Sequence, residues 1–279
     1  LVSGSDGLIV NTAGRYTLPL GTITIQESKA PEGYLINDTI YIAQTKLDTN
    51  IVVTTNLPTD DKAAQETPYE GTISIQKFLG GSNAVKASEP DAEGTARRKR
   101  KRAGTGEFQI YLKSAGSYDA SPEDSRQTIT TDANGYAITK RLPYGTYTIH
   151  QTKGNNKYYF IDDIDVTISD NNANYHKILE NTPIEFYLKM VKKDADTGNT
   201  VNVAGATFEL YDENGAKVSF KTMTSGGIKT IDSFTTDENG CVYTVEKLLK
   251  GSYTLVETKA PEGYVLDSTP VSFTVSENT

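Results

Sequence analysis

One segment occurs twice, and no other feature restricts the possible folds as much. Residues 27–34 read Glu27-Ser-Lys-Ala-Pro-Glu-Gly-Tyr34, and residues 257–264 read Glu257-Thr-Lys-Ala-Pro-Glu-Gly-Tyr264. Each copy is preceded by a glycine-led strand pattern, GTITIQE (Gly21 to Glu27) and GSYTLVE (Gly251 to Glu257). A worn third copy, GTYTIHQTKGNNKYY, leads from Gly145 to Gln151. Such self-similarity is the signature of an array of related domains. It also places an acid in an unusual position. The alternation Ile23, Ile25, Glu27 puts the glutamate on the apolar face of its strand, and Tyr253, Leu255, Glu257 repeat the pattern. A carboxylate aimed into a core is costly unless protonated or partnered, so its recurrence in one register needs a cause.

At 279 residues the chain suits two to three domains of roughly 100 residues each. Abundant Thr, Ile, Val and Tyr, with 23 Gly, no Trp and no long helical periodicity, favour β structure. The net charge of −8 argues against a general nucleic-acid role. Cys241 is the single cysteine, so no disulfide forms within the chain. No run is apolar enough for a membrane span or a signal peptide, so no membrane contact is expected within this segment. The chain opens at Leu1 in what reads as mid-domain, and the expectation is a piece of a longer secreted protein.

Three units align. The third runs from IEFYLKMVKK (184–193) and the turn Asp194-Ala-Asp-Thr-Gly198 through AGATFELYDENG (204–215), a long connection, TTDENGCVYTV (235–245) and GSYTLVETKAPEGY to PVSFTVSEN (270–278). The second repeats the order from GTISIQKFL (71–79) to HKILENTP (176–183), and the first holds only the later strands, TITIQES, TIYIAQ and IVVTTNLP. Short alternating strands punctuated by Asp/Asn-Gly turns predict antiparallel β-sandwiches. The boundaries read as 1–60, a sandwich without its opening strands; 69–183, with a basic insertion near 80–106; and 184–279, whose final strand is expected to be missing. Tethers fall near LPTDDKAAQETPYE (57–70) and Asn181-Thr-Pro183.

An early-strand lysine, a GxYxxxE strand followed by xKAPEGY, and a last strand ending Asn-x-Pro together resemble the collagen-adhesin B-type (Cna-B, SpaA-like) domains. The resemblance covers nearly the whole chain. It implies tandem inverse immunoglobulin-like, prealbumin-like all-β sandwiches from pili and adhesin stalks of Gram-positive bacteria. It often implies an autocatalytic Lys–Asn isopeptide bond between first and last strands, and no enzyme acting on a separate substrate. The implied location is extracellular and wall-anchored, with other domains or subunits of a surface protein or pilus as partners and no cofactor. Neither Leu57-Pro-Thr-Asp60 nor Leu18-Pro-Leu-Gly-Thr22 is a Leu-Pro-x-Thr-Gly anchoring signal, so anchoring rests on the resemblance.

The reaction so implied needs a neutral lysine, which burial favours, and a carboxylic acid able to hold and pass a proton. Folding supplies the proximity. Ile73, Ile75 and Lys77 share a strand face, as do Leu188, Met190 and Lys192, whereas Lys189 and Lys193 point the other way. In the first unit Glu27 and Asn56 match acid and acceptor, with the lysine expected upstream of Leu1. In the second, Lys77 and Asn181 match, but the acid position is Gln151, which cannot cycle a proton, so the bond is expected to be absent or slow. Glu107 does not replace it, because Phe108, Ile110 and Leu112 take the inward phase. In the third, Lys192 and Glu257 match. Asn278 reads as a turn residue when Tyr34 is aligned with Tyr264, with an acceptor role as the alternative.

Other readings are plainer. An inward lysine at a strand end often snorkels to water, and Ala-Pro-Glu-Gly-Tyr serves as a turn whether or not any bond forms. Asp194-Ala-Asp-Thr-Gly reads as an Asx-rich turn rather than a cation loop. His150 and His176 are too few and too separated for a metal site. Arg97-Arg98-Lys99-Arg100-Lys101-Arg102 forms a run of like charge that reads as an exposed solvated loop; the sharper alternative is contact with a polyanion such as a host glycosaminoglycan. The function expected from these readings is mechanical. The rivals are an adhesin module that binds host matrix directly, and an enzyme, for which no nucleophile–His pair, metal cluster or phosphate loop speaks.

Overall fold

The computed structural model describes residues 20–45, 52–53, 66–80, 101–102 and 105–278. Asn56 and Arg97–Arg100 lie outside the described residues. The chain divides into two compact units: one extends to Thr72 and includes Arg141–Thr146 and Thr167–Asn174, and the other comprises Ile73–Lys140, Tyr147–Val166 and Tyr175–Thr279.

Nearly all regular structure is antiparallel β. The first repeat contributes β1 (Gly21–Ile25), β2 (Tyr34–Leu35), β3 (Tyr41–Thr45) and β4 (Val52–Val53), with β3 central in a β1-β3-β4 sheet. β5 (Thr67–Pro68) pairs with β2.

The second repeat opens on β6 (Glu70–Leu79), followed by β7 (Lys101–Arg102), β8 (Glu107–Leu112), β9 (Arg126–Thr130), β10 (Tyr136–Ile138) and β11 (Leu142–Pro143). β12 (Gly145–Lys153), β13 (Ile164–Ile168) and β14 (Asn174–Asn181) complete it. One sheet has β6 paired with β7, β10, β11 and β14; the other runs β13-β12-β8-β9. β14 lies parallel to β6, because Thr72 N–H donates to the Ala173 carbonyl and Gly80 N–H to the Asn181 carbonyl, advancing together along both chains. A parallel pair requires a long crossover, here the rest of the sandwich. It sets the first and last strands side by side. Alternation leaves Ile73, Ile75 and Lys77 of β6 buried, as are Phe108, Ile110 and Ile149. Each fully buried aliphatic or aromatic side chain is worth about 1.5–3 kcal/mol. Lys101 and Arg102, at the end of the basic run, pair as β7 with Leu79 and Phe78.

The third repeat comprises β15 (Glu185–Phe186), β16 (Lys189–Val191), β17 (Thr207–Asp212), β18 (Phe220–Thr224), β19 (Gly227–Ile231) and β20 (Phe234–Thr235). β21 (Cys241–Tyr243), β22 (Leu248–Leu249), β23 (Gly251–Lys259) and β24 (Val271–Val275) follow. Its main sheet runs β20-β17-β23-β24, while β15 pairs β22 and β16 pairs β21. Met190, Phe208, Leu210, Phe220, Phe234, Leu248 and Val275 form its core. Two differences from the expected pattern stand out. The opening strand breaks into β15 and β16, and the long connection contains a hairpin, β18–β19.

Candidate functional site

Gln151 lies within β12, Glu257 within β23, and Glu27 two residues past the end of β1, and all three take the same kind of backbone partner. Each accepts a hydrogen bond from the backbone N–H ten residues further on: Asn37 to Glu27 at 2.6 Å, Ile161 to Gln151 at 3.2 Å, and Asp267 to Glu257 at 3.2 Å. The following Asx turns repeat too, with Thr39 N–H on Asn37 and Thr269 N–H on Asp267. These bonds hold the acid-bearing side chain in place from outside its own strand. The recurring Asn-x-Thr and Asp-x-Thr triplets were the signal for them in the sequence. Bonds from Thr269 hold the Asp267 carboxyl below its usual range, with a smaller contribution from the Lys192 charge.

In the third repeat Lys192 and Glu257 form a buried pair. Their Nζ–Oε2 distance is 2.9 Å, with side chains 15% and 4% exposed. Lys189 and Lys193 are exposed, as their phase predicts. Glu257 Oε1 is buried without a hydrogen-bond partner. Asn278 lies in an exposed turn and donates its N–H to Ser276, and among the described residues no asparagine side chain bonds Lys192 or Glu257.

In the second repeat Lys77, Gln151 and Asn181 are 1%, 2% and 1% exposed. Asn181 Nδ2 donates to Gln151 Oε1 at 2.8 Å and to the Tyr159 carbonyl at 2.7 Å, and Gln151 Nε2 donates to the Lys153 carbonyl. Asn181 Oδ1 is left buried without a partner. Desolvation lowers the Lys77 pKa, which favours the neutral amine. Two glycines make room for it: a Cβ at Gly106 would lie 2.6 Å from Lys77 Nζ. One at Gly154 would lie 3.2 Å from that atom and 2.5 Å from Gln151 Nε2, so both nitrogens border one small space. Among the described residues no carboxylate lies within ion-pair distance of Lys77. Glu107 instead bonds Thr152 and Lys153 at the surface, which holds its carboxyl below the usual range.

In the first repeat a second acid faces the site. Burial, then the nearby charge of Glu27, raises the pKa of Glu66, whose Oε2 is buried without a hydrogen-bond partner. Sequence reasoning missed Glu66, which it placed in a tether.

Asp194 accepts bonds from Asp196 and Thr197, an Asx turn, and among the described residues no cluster could hold a metal ion. His150 pairs with Asp163 and His176 bonds Ser74.

These are tandem prealbumin-like sandwiches in which an inward lysine and a carboxyl or carboxamide recur at matched positions. The profile of the SpaA prealbumin-like fold domain matches residues 101–183 and 186–279. The chain belongs to that family. Among solved structures it is similar to the Bacillus anthracis TIE protein, with 24% identity and a TM-score of 0.57, covering 93% of this chain and 40% of that one. The shaft pilin SpaA from Lactobacillus rhamnosus GG shares 19% identity over 75% of this chain and 94% of its own, with a TM-score of 0.32. GBS52, the minor pilin of the Gram-positive pathogen Streptococcus agalactiae, shares 20% identity over 74% of this chain and 90% of its own, with a TM-score of 0.33. The chain spans less than half the length of the TIE protein. No curated protein matches it significantly.

Proposed function

We propose that the chain is a structural stalk segment of a pilin or surface protein of a Gram-positive bacterium, lying outside the cell and anchored to its wall. Its modules span 1–60, 69–183 and 184–279, and other domains or pilus subunits are its partners. The observation that carries this reading is the recurrence of the inward lysine and its buried partner, Lys77 with Gln151 and Lys192 with Glu257, in a family of tandem sandwiches.

The chemistry at these positions is amide exchange. Neutral lysine Nζ attacks the asparagine Cγ, the new C–N bond forms as the C–NH2 bond breaks, and ammonia leaves with the proton the amine surrenders. A carboxylic acid donates to the amide oxygen and passes the proton to the leaving nitrogen. Glu257 takes that role in this reading, supported by its 2.9 Å contact with Lys192. Gln151 has no proton to cycle, so Lys77 and Asn181 stay unjoined or join slowly. In the first module Asn56 is the proposed acceptor and Glu27 the acid, by their places in the repeat. Neither step acts on a separate substrate.

Stretching the chain by its ends tests the load-carrying role. The native second module should extend fully. A Gln151→Glu variant should withhold the length between Lys77 and Asn181, and equal extension of the two would contradict the reading.

A second reading has one observation in its favour: Lys101 and Arg102 hold the end of the basic run on β6. As an adhesin surface, the run would bind a polyanion with an affinity that falls as salt rises. Salt-independent heparin binding would reject it.

A further inference from the structure

The two junctions between repeats are built alike, down to individual backbone bonds. At the first, Tyr34 pairs antiparallel with Pro68 and Leu35 with Thr67. Tyr69 N–H donates to the Gly33 carbonyl at 2.6 Å, and the Tyr69 carbonyl accepts from Tyr144 N–H at 2.7 Å. At the second, Tyr158 pairs antiparallel with Pro183, and Tyr159 N–H donates to the Thr182 carbonyl at 2.9 Å. Ile184 N–H donates to the Lys157 carbonyl at 2.9 Å, and its own carbonyl accepts from Lys250 N–H at 2.7 Å. In both, an extended Thr-Pro-apolar segment, Thr67-Pro68-Tyr69 or Thr182-Pro183-Ile184, adds as a strand to the loop seven residues beyond the acid position. The residue after proline bonds backward to that loop and forward to the turn that opens the next glycine-led strand.

The third repeat carries the same loop, and among the described residues no strand pairs with it. Tyr264 N–H donates to the Pro261 carbonyl at 3.2 Å, as Tyr34 N–H does to Pro31 at 3.2 Å. Gly263 has φ 85° where Gly33 has φ 84°, a left-handed conformation that only glycine adopts without strain. A Cβ on Gly33 would be driven into the Tyr144 ring, whereas Gly263 has open space at the same place. Val265 is 90% exposed, against 39% for Leu35 and 42% for Tyr159 at equivalent positions. Among the described residues nothing bonds the Gly263 carbonyl or the Val265 N–H.

We propose that Gly263–Leu266 is a preformed strand-docking edge for the Thr-Pro-apolar entry segment of a further sandwich of this family, joined in tandem as the two seen here are. The incoming chain adds by β-augmentation, its apolar residue donating to the Gly263 carbonyl and its threonine carbonyl accepting from Val265. Gly263 leaves room for an aromatic ring in the position that Tyr144 takes over Gly33. The edge stands on backbone geometry alone, so it is independent of whether any lysine crosslink forms.

The test uses the full chain, labelled for NMR, and a synthetic peptide of residues 65–72, Gln-Glu-Thr-Pro-Tyr-Glu-Gly-Thr. Saturable shifts confined to Gly263–Leu266 are expected, lost with a scrambled peptide of the same composition. They should also be lost in a Val265→Pro variant whose other resonances are unmoved, because that change removes the donor N–H. Shifts centred elsewhere, equal shifts from the scrambled peptide, or none at millimolar peptide would each overturn the proposal.

Discussion

Lys192 Nζ lies 2.9 Å from Glu257 Oε2, and the equivalent places in the preceding repeat hold Lys77 and Gln151 with no carboxylate. Lys192 thus has a carboxylate partner, whereas Lys77 is buried with the amides of Gln151 and Asn181. The strand that carries the acid position, β12 or β23, is nine residues long in both. The electrostatics differ.

Truncating the acid should destabilise the third repeat sharply. Glu257→Ala leaves Lys192 without its counter-charge and Asp267 N–H without its acceptor. Removing one partner of a buried pair costs about 3–5 kcal/mol. Glu257→Gln keeps an oxygen for Asp267 N–H and should cost less. Urea unfolding of the two variants ranks them.

Lys77 gives the second repeat a pH dependence of definite sign. Burial lowers its folded pKa below the ordinary 10.5, so between the two values the unfolded chain binds more protons. Stability contributed at this site therefore rises with pH from the lowered value up to about 10.5 and is flat below it. Lys77→Met should flatten that rise and stabilise the module at neutral pH. Denaturant titrations across neutral and alkaline pH read both effects.

Glu66 predicts the opposite trend in the first repeat. Its raised pKa means that the folded state prefers the protonated acid, so stability is lost as pH rises through the carboxylate range. Glu66→Gln should remove that loss. Amide exchange at Tyr34 and Leu35, which pair with the neighbouring strand β5, reports it.

The junction predicts a contrast between two glycines of nearly equal φ. Gly33→Ala adds a clash with Tyr144 to the backbone strain, whereas Gly263→Ala adds strain alone. Left-handed strain costs a non-glycine residue roughly 1–2 kcal/mol. Gly33→Ala should exceed Gly263→Ala, and thermal unfolding of both gives the difference.

Much of this was legible in residue phase. The alternation Ile73, Ile75, Lys77 puts the lysine inside, and the Gly-to-Glu spacing puts the acid on the apolar face of its own strand. The junction was not legible, because backbone bonds make it and the side chains at its equivalent places differ: Gly33 against Lys157, Tyr144 against Lys250. Only the recurring Thr-Pro of residues 67–68 and 182–183 signalled it, and a composition argument read that stretch as a tether. The β18–β19 hairpin was missed because its strands are mostly exposed and carry little alternation; Gly226-Gly227 was its one mark. Partners distant in sequence, such as Tyr159 for Asn181, come from the fold alone.

The most direct test is intact mass with peptide mapping of the native chain beside its Gln151→Glu variant. The native chain should show Lys77 and Asn181 as separate, unmodified peptides. The variant should lose one ammonia and yield a single joined peptide holding both residues. A native chain already joined at Lys77 and Asn181, or a folded variant of unchanged mass, would contradict the claim that the residue at position 151 governs the crosslink.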